Sequence, residues 1–140
     1  MQSLVLTPET RYVAGAVLLT IVTIELGGWF MTRVVRGSVQ MTDFQKAFAR
    51  AGHAHAGVLV TLSLICLVLA DATGLSGTWS WVARLGVPVA AALIPGGFFF
   101  SSMGRGNVTQ PSKLIWLVWT GMLSLALGVV SLGVGLLVSG

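Results

Sequence analysis

The sequence predicts an all-α fold: a polytopic membrane protein with four transmembrane helices in a single bundle. Three observations carry this. The 140 residues are 55% hydrophobic and only 9% charged, with mean hydropathy +0.91, whereas a soluble domain carries about 25% charged residues. The apolar residues collect into four runs of the roughly 20-residue length a helix needs to cross a bilayer. The runs are continuous rather than alternating, which excludes a transmembrane β-barrel. A chain of this length is one integral membrane domain, residues 1–140. High hydrophobicity with few charges also excludes intrinsic disorder. A lone cysteine excludes an intrachain disulfide and a cysteine-based metal cluster.

The first span covers about residues 12–31 and contains one charge, Glu25. It has no basic segment before it, is long for a signal peptide, and is followed by Arg33 and Arg36; it reads as a retained span rather than a cleaved leader. The second covers about 51–70, with His53 and His55 near its start. Thr42-Asp43-Phe44-Gln45 has the capping-box form, so this helix is expected to begin near Asp43. The third covers about 85–103 and contains Pro88 and Pro95-Gly96-Gly97, where a kink is expected because proline cannot donate to the preceding turn. The fourth covers about 114–138. Its Gly121, Ser124, Gly128, Ser131 and Gly135 form one small-residue stripe, suited to close helix packing within the bundle or, alternatively, to a homodimer seam.

The loops predict orientation. Arg33, Arg36, Lys46, Arg50, Arg105 and Lys113 fall on one side, Arg11 and Arg84 on the other. By the positive-inside rule, loops 32–50 and 104–113 are cytoplasmic and both termini lie outside, in a bacterial inner membrane. The basic balance, pI near 10.3, thus sets topology and implies no nucleic-acid partner. Trp29, Trp79 and Trp81 suit interfacial belts. Asp71, just past the second span, is placed to solvate the helix end or to pair with Arg84.

Ionisable residues inside a span are functional candidates. Glu25 lies about 12 Å along the helix from Arg33 and has nothing in its own span to pair with. His53 and His55 enter from the same leaflet, about 4.5–7.5 Å past Arg50. Glu25, His53, His55 and Arg50 therefore form the candidate catalytic set. His53, His55 and Arg50 are the candidate cofactor contacts, and His53, His55 and Glu25 the candidate metal ligands. Two residues apart on a helix, the histidines point about 200° apart, so the pair serves two different neighbours rather than chelating one ion. Ser101, Ser102, Met103, Asn107, Trp116, Trp119 and Thr120 lie toward the same side and could line a pocket. Cys66 reads as inert core.

The run Arg50-Ala51-Gly52-His53-Ala54-His55-Ala56-Gly57 resembles short, uncharacterised four-helix bacterial membrane proteins with an HxH at the start of helix two. More distantly it resembles helix two of heme-copper oxidase subunit I. That resemblance implies heme, with His53 or His55 as axial ligand and Arg50 a partner for propionates. The match spans about 20 residues, and this chain has no later paired histidine for copper. Ala54-His55-Ala56-Gly57 more weakly resembles hydroxylaminobenzene mutase, which implies isomerisation of a lipophilic compound within the membrane.

Together these readings lead to a small membrane-embedded enzyme or redox protein. It would act on a small lipophilic substrate, assisted by heme or a transition metal or by acid–base chemistry without a cofactor, as an oxidoreductase or isomerase. Its surroundings would be the lipid bilayer and further copies of itself in a homo-oligomer. The alternatives are an oligomeric proton or small-solute transporter and a non-catalytic subunit of a larger membrane complex.

Overall fold

The computed structural model describes residues 5–139. Among them are four α-helices and no strand: α1 (Pro8–Val35), α2 (Asp43–Ala70), α3 (Gly77–Ser102) and α4 (Trp116–Val138), the last entered through a 3-10 turn at Lys113–Ile115. All four are long and apolar enough to span a membrane. The chain is an all-α four-helix bundle of membrane-protein character.

Local chemistry sets the ends. Thr7 caps α1, its hydroxyl oxygen accepting from the Thr10 N–H at 3.3 Å, and Pro8 follows where its missing N–H costs nothing. The capping box at α2 forms in full: the Gln45 N–H donates to Thr42 Oγ1 at 3.2 Å, and the Thr42 N–H donates to Gln45 Oε1 at 3.1 Å. Helix α3 starts at Gly77, eight residues ahead of the expected span, and so takes in Trp79, Trp81 and Arg84. Arg84 tolerates this because its charge is met by Asp71. Helix α3 runs through Pro88 and Pro95 as one continuous helix, so any bend the prolines impose is taken up without ending it.

Helix α3 is the centre of the packing, closely apposed to α2 on one side and α4 on the other. The small-residue stripe of α4 is used within the chain. A Cβ on Gly86 would fall 2.4 Å from the Gly128 Cα, and one on Gly121 would fall 2.6 Å from Ile94 Cγ1. Two backbones thus touch where no side chain intervenes, as lipid-embedded helices require in the absence of a hydrophobic drive between them. The stripe serines fasten the same seam: Ser124 Oγ donates to Gly86 O at 2.9 Å and Ser131 Oγ to Trp79 O at 3.2 Å.

Helix α1 is held differently. Only Thr10, Val17 and Val34 are buried along its 28 residues. It leans on α2 through Val17, Val60 and Leu67 and meets α3 sparsely. Its firm attachment is at the end away from the α1–α2 loop. There Asp71 receives the Thr7 N–H at 2.9 Å, the Thr10 hydroxyl at 2.8 Å and Arg84 Nη2 at 2.7 Å. Arg84 Nε also donates to Thr10 Oγ1 at 3.2 Å, and Nη1 donates to Ser80. One carboxylate thereby ties α1, α2 and α3 together. Its own burial pushes the Asp71 carboxyl up, but the Thr7 N–H, the Arg84 guanidinium and the two threonine hydroxyls outweigh that and hold it below the usual carboxylate range.

Candidate functional site

The seam between α3 and α4 is closed by glycines, whereas the space between α1 and α3 is not closed. A cavity of about 390 Å3 lies there, walled by α1, α2 and α3. Its size is within the range of small-molecule pockets. Val17 and Ile24 of α1, Val60 of α2, and Phe99 and Phe100 of α3 make it largely apolar. His53 is the ionisable residue in its wall.

Sequence positions His53 there in two ways. The apolar residues that α2 shares with α3 turn His53 onto the flank facing α1. Opposite it, α1 carries Gly27-Gly28, which leaves a notch for the ring. A Cβ on Gly27 would lie 3.4 Å from His53 Nδ1, and one on Gly28 would lie 3.5 Å from Cε1 and 3.7 Å from Nε2. The imidazole is therefore seated edge-on against bare backbone. It is half-buried and has no hydrogen-bond partner among the described residues.

The other candidates go elsewhere. His55 is exposed on the opposite flank of α2, stacked at a tilt on Phe98 with ring centroids 5.2 Å apart. Its Nδ1 lies 2.7 Å from Ala51 O; donation there leaves Nε2 as the free acceptor. Arg50 and Glu25 are both exposed, and neither lines the cavity. Glu25, His53 and His55 do share a level, with Arg50 about 4.5 Å nearer the α1–α2 loop than His53. With Gly27 and Gly28 against His53, Glu25 and His55 each lie about 3–4 Å further along their antiparallel helices. A common depth is thus present, but a common site within one chain is not: His53, His55 and Glu25 do not converge.

This bears on the expected cofactors. Among the described residues no three His, Cys, Asp or Glu side chains come together as metal ligands, and a metal held by protein alone needs three or four. Glu25, His53 and His55 of a single chain do not fit that requirement. Heme needs only one axial imidazole. The nitrogen-bearing edge of His53 lies beside Gly27 and Gly28 in the cavity wall, whereas His55 is on the outer flank with a free Nε2 and a backbone-anchored Nδ1, the usual posture of a ligating histidine.

The residues expected to line a pocket from α3 and α4 are used otherwise. Ser101 and Ser102 are buried, and their carbonyls accept from the Ser112 N–H at 2.8 Å and from Gln45 Nε2 at 3.0 Å, which fastens the α3–α4 loop. Trp116 and Trp119 are exposed. Cys66 is buried in the core between α2, α3 and α4.

The polar wall opposite His53 comes instead from residues not singled out in the sequence. Thr20 and Thr23 line the cavity from α1. Each hydroxyl donates back into its own helix, Thr20 to Val17 O and Thr23 to Thr20 O, both at 2.6 Å. On α3, Pro95 has no N–H for the Ala91 carbonyl, and both residues face the cavity. The available signal was weak: Thr20, Thr23 and Gly27 recur at three- and four-residue steps on one face of α1.

No protein-family model, no curated protein and no solved structure matches this chain.

Proposed function

We propose that the chain is a small membrane-embedded protein that binds a lipophilic molecule in the α1–α2–α3 cavity and acts on it through His53. The observation that carries this is the placement of one unpartnered imidazole in the wall of a largely apolar cavity between membrane-length helices. Imidazole exchanges protons in the physiological range, and general acid–base work requires such a group within hydrogen-bond reach of the substrate. Isomerisation by proton transfer needs no cofactor and suits this wall. The basic residues around loops 32–50 and 104–113 favour a bacterial inner membrane with those loops cytoplasmic and both termini outside.

A second reading is supported by the His55 posture alone. With Nδ1 committed to Ala51 O and Nε2 free beside Phe98, His55 suits an axial ligand of heme on the outer face of α2. Arg50 lies on the same helix and would offer a cation to a propionate. Heme would provide one-electron chemistry there.

The test is extraction. Protein purified in native-lipid nanodiscs is analysed by mass spectrometry and visible absorption, with Ala92→Phe as the comparison, because Ala92 lines the cavity at an exposed position where a larger side chain projects into the space. A small molecule enriched with wild type and depleted with Ala92→Phe supports the cavity reading. A Soret band that vanishes in His55→Ala and survives Ala92→Phe supports the heme reading instead. A folded protein carrying neither sets both aside.

A further inference from the structure

We infer that the cavity is built for a neutral, lipid-soluble molecule carrying an O–H or N–H donor, admitted sideways from the bilayer between α1 and α3. This rests on the cavity reading above and names its ligand class.

The polar groups in the wall are mostly acceptors. The protons of Thr20 and Thr23 are committed to Val17 O and Thr20 O, so each hydroxyl oxygen offers only lone pairs to the cavity. The Ala91 carbonyl lacks the N–H that a residue other than Pro95 would bring. Neutral His53 adds one acceptor and one donor. Two hydroxyl oxygens and a ring nitrogen that accept, against a single N–H that donates, leave a ligand bearing only a carbonyl or ether poorly matched. An unmet acceptor in a lipid-filled space has no water to turn to, which rewards a ligand that donates. Among the described residues no Lys, Arg, Asp or Glu lines the cavity, so a charged ligand would lack a counter-ion there.

The entry route follows from packing. Helix α1 meets α3 only sparsely along its length. Thr20, Thr23 and Phe100 are at once cavity-lining and exposed, so the wall they form is also an opening on the lipid-facing side. At the far end, the Asp71–Arg84 network closes α1 onto α2 and α3. The mouth is therefore lateral.

A matched pair of probes tests the class: 2-naphthol, and its methyl ether 2-methoxynaphthalene, which keeps the rings and loses the donor. Binding to the protein in nanodiscs is measured by calorimetry, with each affinity referred to the probe's concentration in the lipid phase. The expected result is that naphthol binds about tenfold more tightly, the effect of one well-made hydrogen bond with its desolvation avoided. The double variant Thr20→Val/Thr23→Val keeps shape and removes both oxygens. It is expected to erase most of that advantage and leave the ether unchanged. Equal affinity of the two probes for wild type, both lost in Ala92→Phe, would overturn the donor class while the cavity reading stood. Binding of neither probe, or binding of both undiminished in Ala92→Phe, would overturn the cavity reading together with this inference. Circular dichroism of each variant confirms that the bundle is intact.

Discussion

The two ends of the bundle carry similar groups in opposite states. At one end Asp71, Arg84, Thr7, Thr10 and Ser80 form a closed network, with Arg84 and Asp71 side chains only 10% and 6% exposed. Every buried side-chain polar atom among the described residues has a hydrogen-bond partner. In the other half, His53 rests against Gly27 and Gly28 with no partner, His55 has one free nitrogen, and Glu25 stands exposed within its span. Polar groups in lipid are costly unless paired. The paired set therefore accounts for itself as architecture, and the unpaired set is where the proposed ligand chemistry has groups free to act.

Breaking the closed network gives the largest effect. Arg84→Ala strands the Asp71 carboxylate in a buried position, and a loss of about 3–5 kcal/mol is expected from unfolding in mixed micelles. Asp71→Asn, which keeps the shape, loses less. Next is the α3–α4 seam. Gly86→Val forces atoms into the Gly128 backbone and is expected to cost about 1–3 kcal/mol or to separate the helices outright. A midpoint shift small enough to match an ordinary surface substitution would contradict the close approach.

The closed network also has a pH signature. The Asp71 carboxyl is held below its ordinary value, so its contribution is full above the unfolded value of about 3.9 and is lost as pH falls from there through the folded value. Thermal midpoints between pH 5 and pH 3 should drop in wild type and drop less in Asp71→Asn. Equal slopes would remove Asp71 as the source.

The unpaired set should behave in the opposite way. His53→Phe is expected to move stability by no more than about 1 kcal/mol and Glu25→Gln by about 0.5 kcal/mol or less, since neither removes a hydrogen bond within the chain. A large destabilisation by His53→Phe would mean that the ring is structural.

Much of this was legible in sequence because hydropathy and capping are local. Pairing with Arg84 was one of the two roles open to Asp71, and the four spans, the capping box at Thr42 and Gln45 and the glycine–serine stripe of α4 all follow from residue type and spacing. So does the divergence of His53 from His55, which the helix repeat dictates. What sequence could not supply is long-range register. The seating of His53 on Gly27-Gly28 and the roles of Thr20, Thr23 and Pro95 depend on how α1 lies against α2 and α3. Arg84 also misled: a charge at that position reads as the border of a span, and only its network with Asp71 lets α3 start at Gly77.

The central claim, that His53 faces a ligand and His55 does not, is most directly tested by 15N NMR of the two histidine rings in nanodiscs as 2-naphthol is added. The account predicts that the His53 ring signals move in proportion to occupancy, that His55 stays still, and that Ala92→Phe abolishes the response. Movement of His55 with His53 unchanged, or of neither ring while naphthol binds, would contradict it.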